Sequence, residues 1–222
     1  MMVTTSGAPR AHRRLPADSG MTLIELLVAM GIFVVLIAVF MSGVVSMTRT
    51  TARAQGVSDA TTSARKVLDL FDKQVRYSSA LNREGFGDSG EYYYVEYLAP
   101  AQETGFRYCA QWRYDPTAHT LAIRTWTDSL IPSPSAWNII AMNVRNAASK
   151  PPFKVTFASP TPVNAGDPPA LPREQLTVTL DIGLGTQAGA QVSTTYVARN
   201  TSVNTSVNTM NIPQCRSGVG RP

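Results

Sequence analysis

The sequence has few of the residues that usually carry enzyme chemistry. It contains two cysteines, two histidines (His12 and His119) and only 16% charged residues. No His/Cys/Asp/Glu cluster with metal-ligand spacing, no glycine-rich phosphate loop and no Cys/His pair is recognisable in it. The sequence therefore predicts no catalytic site, no metal site and no cofactor, and it favours a structural or binding role over an enzymatic one.

Positive charge is only in slight excess. The formal net charge is +5, of which Arg10, Arg13, Arg14 and Asp18 contribute +2, so the chain after Gly20 carries +3. A solvated surface explains an excess of this size better than a nucleic-acid partner does, and nucleic acid is not expected as a partner. The alternative is a filament subunit that also binds DNA, which salt-dependent DNA binding would reveal.

A long apolar run lies near the N-terminus. Residues 26–47 are 22 positions without a charge. With a rise of about 1.5 Å per residue, a helix over this run is roughly 33 Å long. That length matches a hydrocarbon core of about 30 Å, so the run predicts a single membrane-spanning helix. Its unusual feature is Glu25, a carboxylate at the start of the apolar residues.

Two compatible interpretations of Glu25 stand side by side. Thr22 and Glu25 form a Ser/Thr-x-x-Glu pattern, which is a capping box for the backbone N–H groups at a helix start. Alternatively, Glu25 pairs with the α-amine of another copy of the chain. That α-amine exists only if the chain is cut before Met21. Two unit charges about 4 Å apart attract by roughly 4 kcal/mol at an intermediate dielectric, so such a pair would matter.

Residues 20–30, GMTLIELLVAM, resemble the cleavage and methylation motif of type IV pilins and type II secretion pseudopilins. The resemblance implies that a prepilin peptidase cuts between Gly20 and Met21 on the cytoplasmic side. It also implies that Met21, which stands where phenylalanine is usual, becomes N-methylated. Glu25 is then expected to pair with the α-amine of a neighbouring subunit. The motif covers only about 30 of the 222 residues.

The same resemblance implies partners and a location. The partners are the prepilin peptidase, other pilin or pseudopilin subunits, an inner-membrane assembly platform and membrane lipid. The chain is expected to cross the cytoplasmic membrane once, with its C-terminal domain outside, and to reach a surface pilus or a pseudopilus. Its size, together with the segments ARKVLDLFDKQVRYSSALN, WNIIAMNVRN and YVARN, is similar to J-type minor pseudopilins and W-type minor pilins. A minor subunit is therefore expected.

A membrane-anchored or secreted binding domain is the alternative. Residues 52–54, Ala-Arg-Ala, fit a small-x-small signal-peptide cleavage site. However, the apolar run is longer than the roughly 7–15 residues of a signal-peptide core, and a glutamate, Glu25, stands directly before it among further apolar residues. This alternative predicts an uncut bond between Gly20 and Met21, or a cut after Ala54.

The remaining pattern predicts an α+β fold. We expect a removed leader over 1–20, a transmembrane or filament-core helix over 21–47, its amphipathic continuation over 48–82, an antiparallel β-sheet over 83–199 and an exposed Ser/Thr/Asn-rich tail over 200–222. Apolar residues at spacings of three and four define the helix face that packs on the sheet. They are Val57, Ala60, Ala64, Val67, Leu68, Phe71 and Val75.

The strands are predicted from β-branched, aromatic and alternating segments. They cover 91–98, 106–114, 121–127, 153–157, 175–182 and 191–199, and residues 137–144 fit either a strand or a short helix. Residues 106–114 and 121–127 flank a turn and predict a β-hairpin. In the first of these strands the aromatic residues share one face, which we expect to pack on the helix.

The two cysteines are expected to form one disulfide if the domain is exported, and two buried thiols are the alternative. Cys109 lies on the strand face opposite the aromatic residues, so it points away from the helix. A tail that crosses the outer face of the sheet could then deliver Cys215 to it.

Two further groups of residues allow a binding-site interpretation. Acidic residues near loops could bind a cation, although a solvated acidic patch is the simpler prediction; they are Asp88, Glu91, Glu96 and Glu103. Aromatic residues could stack on nucleic-acid bases, although packing of the sheet on the helix is the simpler prediction. They are Tyr92, Tyr93, Tyr94, Tyr97, Trp112, Tyr114 and Trp126.

Overall fold

The structure, a computed structural model, describes residues 22–100, 105–160, 170–186, 188–210, 213–215 and 219–222. The predicted leader over 1–20 lies outside the described residues. The chain forms two compact units, 1–49 and 50–222. One long N-terminal helix is followed by antiparallel strands in two sheets and a short second helix. The predicted α+β class, with a long N-terminal helix and antiparallel strands, is confirmed.

Helix α1 spans Leu23–Val75. In the unit 50–222 its buried side chains recur every three or four residues, because one face of the helix packs against the sheets. The buried residues belong to the face predicted from the spacing and are Ala60, Ala64, Val67, Phe71 and Val75. The charged residues between them lie on the opposite, solvated side.

The helix ends at Val75, so the predicted amphipathic continuation to residue 82 is wrong at its end. The N–H and the hydroxyl of Ser78 both donate to the Val75 carbonyl, at 3.0 and 2.8 Å, and close the last turn. Strand β1, Ala80–Leu81, then pairs with the larger sheet instead of continuing the helix. Ala80 and Leu81 are apolar and would suit a helix as well as a strand. They form a strand because they pair with Leu98 and Tyr97 of the sheet.

Within the described ranges the larger sheet has six strands, all paired antiparallel. They are β1, β2 (Gly85–Phe86), β3 (Tyr93–Ala99), β4 (Tyr108–Asp115), β5 (Thr120–Thr127) and β6 (Asn138–Met142). Their order is β1-β3-β4-β5-β6, and β2 also pairs with β3. The predicted hairpin is present as β4 and β5, with Trp112 opposite Ile123. The undecided segment is strand β6, which pairs with β5.

The smaller sheet consists of β7 (Phe153–Thr156), β8 (Gln175–Ile182) and β9 (Ala190–Val197), in that order. The sequence predicts a single sheet over these strands. The structure separates the strands into two, joined by an antiparallel bridge between Val144 and Ile182. Local alternation predicts that a segment is a strand, but it does not say which sheet the strand enters.

Phe71 of α1 lies where the helix meets both sheets. The centre of its ring is 4.2 Å from that of Trp112 in β4, 5.9 Å from Phe153 in β7 and 6.1 Å from Tyr196 in β9. Trp112 and Tyr97 are fully buried beside it. Most of the aromatic residues considered for base stacking are therefore core residues that pack the sheet on the helix.

Candidate functional site

The start of α1 is held by Thr22. Its carbonyl accepts a hydrogen bond from the Leu26 N–H at 3.2 Å, and its hydroxyl accepts one from the Glu25 N–H at 3.3 Å. Thr22 is thus the N-cap residue, and Glu25 lies in the first turn, where the helix dipole favours a carboxylate. The Glu25 residue is exposed, so its carboxylate is accessible to another chain. Gly20 and Met21 lie outside the described residues.

The apolar side chains of α1 over residues 23–47 are exposed in the structure. Leu23 is 79% exposed, Phe33 62% and Leu36 61%. Within the described part of the chain, α1 is the one helix long and apolar enough to cross a membrane. Soluble monomeric proteins rarely expose an apolar surface of this extent, so lipid or other helices must cover it. This helix is consistent with membrane anchoring.

On the larger sheet, the face turned away from α1 carries Cys109, which forms a disulfide with Cys215. Cys109 is fully buried and packs with Leu98, Trp126 and Val207. Val207 belongs to the short helix α2, Ser206–Met210. The C-terminal residues therefore cross the outer face of the sheet.

The C-terminal segment is not the exposed tail that its composition predicts. Thr201 is fully buried, Val207 is 4% exposed and Arg221 is 6% exposed. The prediction failed because it used the Ser, Thr and Asn content alone. The buried hydroxyl of Thr201 accepts a hydrogen bond from the Glu174 N–H at 2.8 Å and donates one to the Ala198 carbonyl at 2.7 Å. A polar residue is buried here because the main chain satisfies it.

Glu96 and Arg221 form a buried ion pair on the same outer face. Arg221 Nε and Nη2 donate to the two carboxylate oxygens of Glu96, each at 2.7 Å. Gln111 Nε2 donates to the same carboxylate at 2.9 Å and Asn82 Nδ2 at 3.2 Å. The prediction of a solvated acidic patch is wrong for Glu96, because Arg221 compensates its charge away from water. Glu103, a member of that predicted patch, lies outside the described residues.

Metal coordination has no geometric support in the described residues, where no three His, Cys, Asp or Glu side chains come together. Asp88 and Glu91, the other described members of the predicted acidic patch, are exposed.

Two arginines beside this ion pair stack on aromatic rings. The Arg113 guanidinium is 4.6 Å from the centre of the Tyr92 ring and 4.4 Å from that of Trp137. The Arg124 guanidinium is 4.5 Å from the same Trp137 ring. Two cations thus stack on one indole, an arrangement that stabilises the outer face. Burial lowers the pKa of Arg124 from its ordinary value.

Glu174 is a second buried carboxylate and joins the C-terminal segment to β1. Its Oε2 accepts the Leu81 N–H at 2.8 Å, and its Oε1 accepts the hydroxyl of Thr205. Burial raises the pKa of Glu174 above its usual value, while these two hydrogen bonds lower it. Glu174, next to the start of β8, therefore joins β1 and residue 205 through its side chain and residue 201 through its backbone N–H.

The roles of Arg221, Glu174 and Trp137 were not predicted from the sequence. The sequence did contain a sign that Glu96 is buried, because alternation places it among aromatic residues on the outer face of its strand. In the structure it lies opposite Gln111. A lone carboxylate in such a position needs a partner if it is buried. Arg221 lies 125 residues further on, and no local pattern connects the two.

Comparison with known protein families gives a match at the N-terminal end of the chain. The model of the prokaryotic N-terminal methylation motif matches residues 15–41, which include Gly20, Met21, Thr22, Glu25 and part of the apolar section of α1. No curated protein and no solved structure matches the chain. The methylation motif, followed by a long apolar N-terminal helix, fits the type IV pilin and pseudopilin superfamily and supports a pilin-like protein that is processed by prepilin peptidase.

Proposed function

We propose that this chain is a non-enzymatic minor pilin or pseudopilin, a low-copy structural subunit of a type IV pilus or a secretion pseudopilus. The observation that carries the proposal is a methylation motif joined to a helix whose apolar side chains are exposed over residues 23–47. Such a surface needs lipid around it before assembly and other helices around it afterwards. A filament built from N-terminal helices provides the second environment.

In the proposed pathway the precursor rests in the cytoplasmic membrane, with residues 50–222 on the extracytoplasmic side. Prepilin peptidase cuts between Gly20 and Met21, and the new α-amine is methylated. The assembly platform then moves the subunit out of the lipid and into a bundle with other pilin subunits. The disulfide between Cys109 and Cys215 supports the extracytoplasmic location, because disulfides persist in oxidising compartments.

Glu25 sets the register of the helix in this proposal. The N–H of Glu25 is bonded to the Thr22 hydroxyl, and its exposed carboxylate has no hydrogen-bond partner among the described residues. In an apolar bundle an uncompensated carboxylate is costly. The α-amine of a neighbouring Met21 would compensate it, with an attraction of roughly 4 kcal/mol at a separation of about 4 Å and an intermediate dielectric.

Intact-mass measurement and N-terminal sequencing test the proposal. The protein is purified from membranes of cells with and without the prepilin peptidase. We expect a chain that starts at Met21 and is about 14 Da heavier than its sequence, because of one methyl group, and only in cells with the peptidase. A start at Gln55, or an uncut chain in both strains, would indicate a secreted or anchored domain and remove the role given to Glu25.

A further inference from the structure

Strand β9 lies at an edge of the smaller sheet, and among the described residues it pairs with β8 alone. Its register shows which backbone groups face outward. The Ala198 N–H donates to the Glu174 carbonyl at 2.9 Å, one position beyond the pair of Gln175 and Val197. Hydrogen-bonded pairs alternate along an antiparallel ladder, so the N–H and C=O groups of every second residue point away from β8. These residues are Gln191, Ser193, Thr195 and Val197.

Arg199, two positions after Val197, supports this assignment, because its N–H also points away from β8. The Arg199 N–H donates at 2.9 Å to the carbonyl of Arg76, which lies on the side of the strand away from β8. For residues 191–197, no hydrogen bond from another segment reaches these outward backbone groups in the part of the chain that the structure describes. Among the described residues, four N–H groups and four carbonyls therefore form a regular row without a hydrogen-bond partner.

The other sheet edges are interrupted or capped. On β7, the outward N–H of Val155 donates to the Glu84 carboxylate at 3.0 Å. Strand β6 has only five residues, and its pairing with β5 shifts register between Leu121 and Ala122. Strand β9, AQVSTTYV, has eight residues in unbroken register, without a charge or a proline. Exposed edges usually carry such interruptions, because a bare edge pairs with another chain.

The charge beside this edge indicates what kind of chain fits. A groove of about 190 Å³ is lined by Asp72, Arg76, Thr195, Tyr196, Val197 and Arg199. Asp72 forms an ion pair with Arg76. Arg199 forms no ion pair with an acidic side chain among the residues placed by the structure, so it puts an uncompensated positive charge at its part of the groove. A carboxylate is the group that complements it.

We propose that β9 binds an extended segment of a partner protein as an additional antiparallel strand. The segment is uncharged along its pairing residues and carries a carboxylate where it passes Arg199. Main-chain hydrogen bonds supply the affinity of such a site, and alternate side chains supply its specificity. The site belongs to the unit 50–222 and uses neither the methylation motif nor the apolar half of α1, so it goes beyond filament assembly through the helix.

Amide hydrogen exchange on the intact, disulfide-bonded chain in detergent micelles tests whether the edge is free. The amides of Ser193 and Thr195 are expected to exchange rapidly, whereas those of Val192 and Thr194, which donate to β8, are protected. Protection of Ser193 and Thr195 in the isolated chain would overturn the proposal, because the edge would then already be occupied.

A peptide titration tests the partner. The probe is the acetylated and amidated peptide Glu-Thr-Val-Thr-Val-Ser-Val-Gly, whose antiparallel pairing puts the glutamate beside Arg199. The control is the same peptide with N-methyl groups on the residues that would donate to β9. We expect the probe to slow exchange at Ser193 and Thr195 and the control to leave it unchanged. Equal effects of the two peptides, or no effect of either, would contradict strand addition.

Matched proline variants separate edge pairing from stability. Thr195→Pro removes an outward N–H, so peptide binding followed at Ser193 should weaken at least about fivefold while the melting temperature stays close to that of the parent chain. Thr194→Pro removes an N–H that β8 needs and should lower the melting temperature. Unchanged peptide binding by a folded Thr195→Pro chain would overturn the proposal.

The role of Arg199 is tested by charge reversal. Arg199→Glu should weaken binding of the glutamate peptide roughly fivefold, and a peptide with lysine in place of glutamate should then bind the variant better than the parent chain. Equal affinities of the two peptides for both chains would remove the carboxylate from the proposed partner.

Discussion

Arg221 donates two hydrogen bonds to the carboxylate of Glu96, and both side chains are shielded from water, with 7% and 0% of their surfaces exposed. The pair lies on the same sheet face as the disulfide between Cys109 and Cys215. The C-terminal segment is therefore fixed to the larger sheet at two places, once covalently and once by charge. The cost of burying either ion is offset only while the other is present.

Removing one member of this ion pair should be more harmful than removing both. Arg221→Met leaves the Glu96 carboxylate buried without a cation, so we expect the free energy of unfolding to fall by about 3–5 kcal/mol. Glu96→Gln combined with Arg221→Met should recover much of that loss. The measurement is denaturant unfolding of the intact chain in micelles, followed by tryptophan fluorescence. A double variant no more stable than Arg221→Met would contradict the prediction, because the loss would then not come from the uncompensated charge of Glu96.

Truncating the ring of Phe71 should weaken the contact between the helix and both sheets. Phe71→Ala creates a cavity beside Trp112, Phe153 and Tyr196, and should cost about 3–5 kcal/mol of unfolding free energy. Phe106→Ala is the control, because Phe106 is 67% exposed and its loss should change stability by less than about 0.5 kcal/mol. Similar losses for the two variants would contradict the position of Phe71 at the centre of the core.

Glu174 should make the fold less stable as the pH rises. Burial raises the pKa of Glu174 in the folded chain, so the folded state holds this proton more tightly than the unfolded state does. The stability that the protonated carboxyl contributes is present below its unfolded pKa and is lost as the pH rises through the folded pKa. Glu174→Gln keeps an acceptor for the Leu81 N–H and an amide for the Thr205 hydroxyl, and it should remove this part of the pH dependence.

This prediction is checked by measuring the unfolding midpoints of the parent chain and of Glu174→Gln between about pH 4 and 8. That range includes both an ordinary and a raised carboxyl pKa. Glu91→Gln, a change at an exposed residue, serves as the control. Relative to the parent chain, Glu174→Gln should gain stability towards the upper end of this range. A difference that does not vary with pH would show that Glu174 does not titrate across it.

Glu25 should affect filament incorporation but not membrane insertion. Glu25→Ala and Glu25→Gln both remove the charge that is proposed to pair with a neighbouring α-amine, whereas Thr22→Val removes only the N-cap hydroxyl. Membrane fractionation should find all three variants inserted. The amount in sheared or purified filaments should fall severalfold for the two Glu25 variants and much less for Thr22→Val. Normal incorporation of Glu25→Gln would show that the charge of Glu25 does not set the register of the helix.

The sequence predicted those features that depend on local periodicity. Alternation over residues 106–114 was sufficient for the β4–β5 hairpin and for the outward direction of Cys109, because a strand has a period of two. Spacings of three and four likewise identified the buried face of α1. The end of α1 at Val75 and the division into two sheets were not predictable in this way. They depend on pairings between distant segments, as does the contact of Glu96 with Arg221.

The order of synthesis limits what Cys109 can react with before Cys215 is made. Cys109 and Cys215 are 106 residues apart, so at about 5–20 residues per second Cys215 is made roughly 5–20 s after Cys109. Throughout that interval Cys109 is the only cysteine of the nascent chain. Its thiol can react only with another molecule, such as a thiol oxidoreductase. Once Cys215 arrives there is no wrong intramolecular pairing to correct, so folding needs an oxidant but no disulfide shuffling.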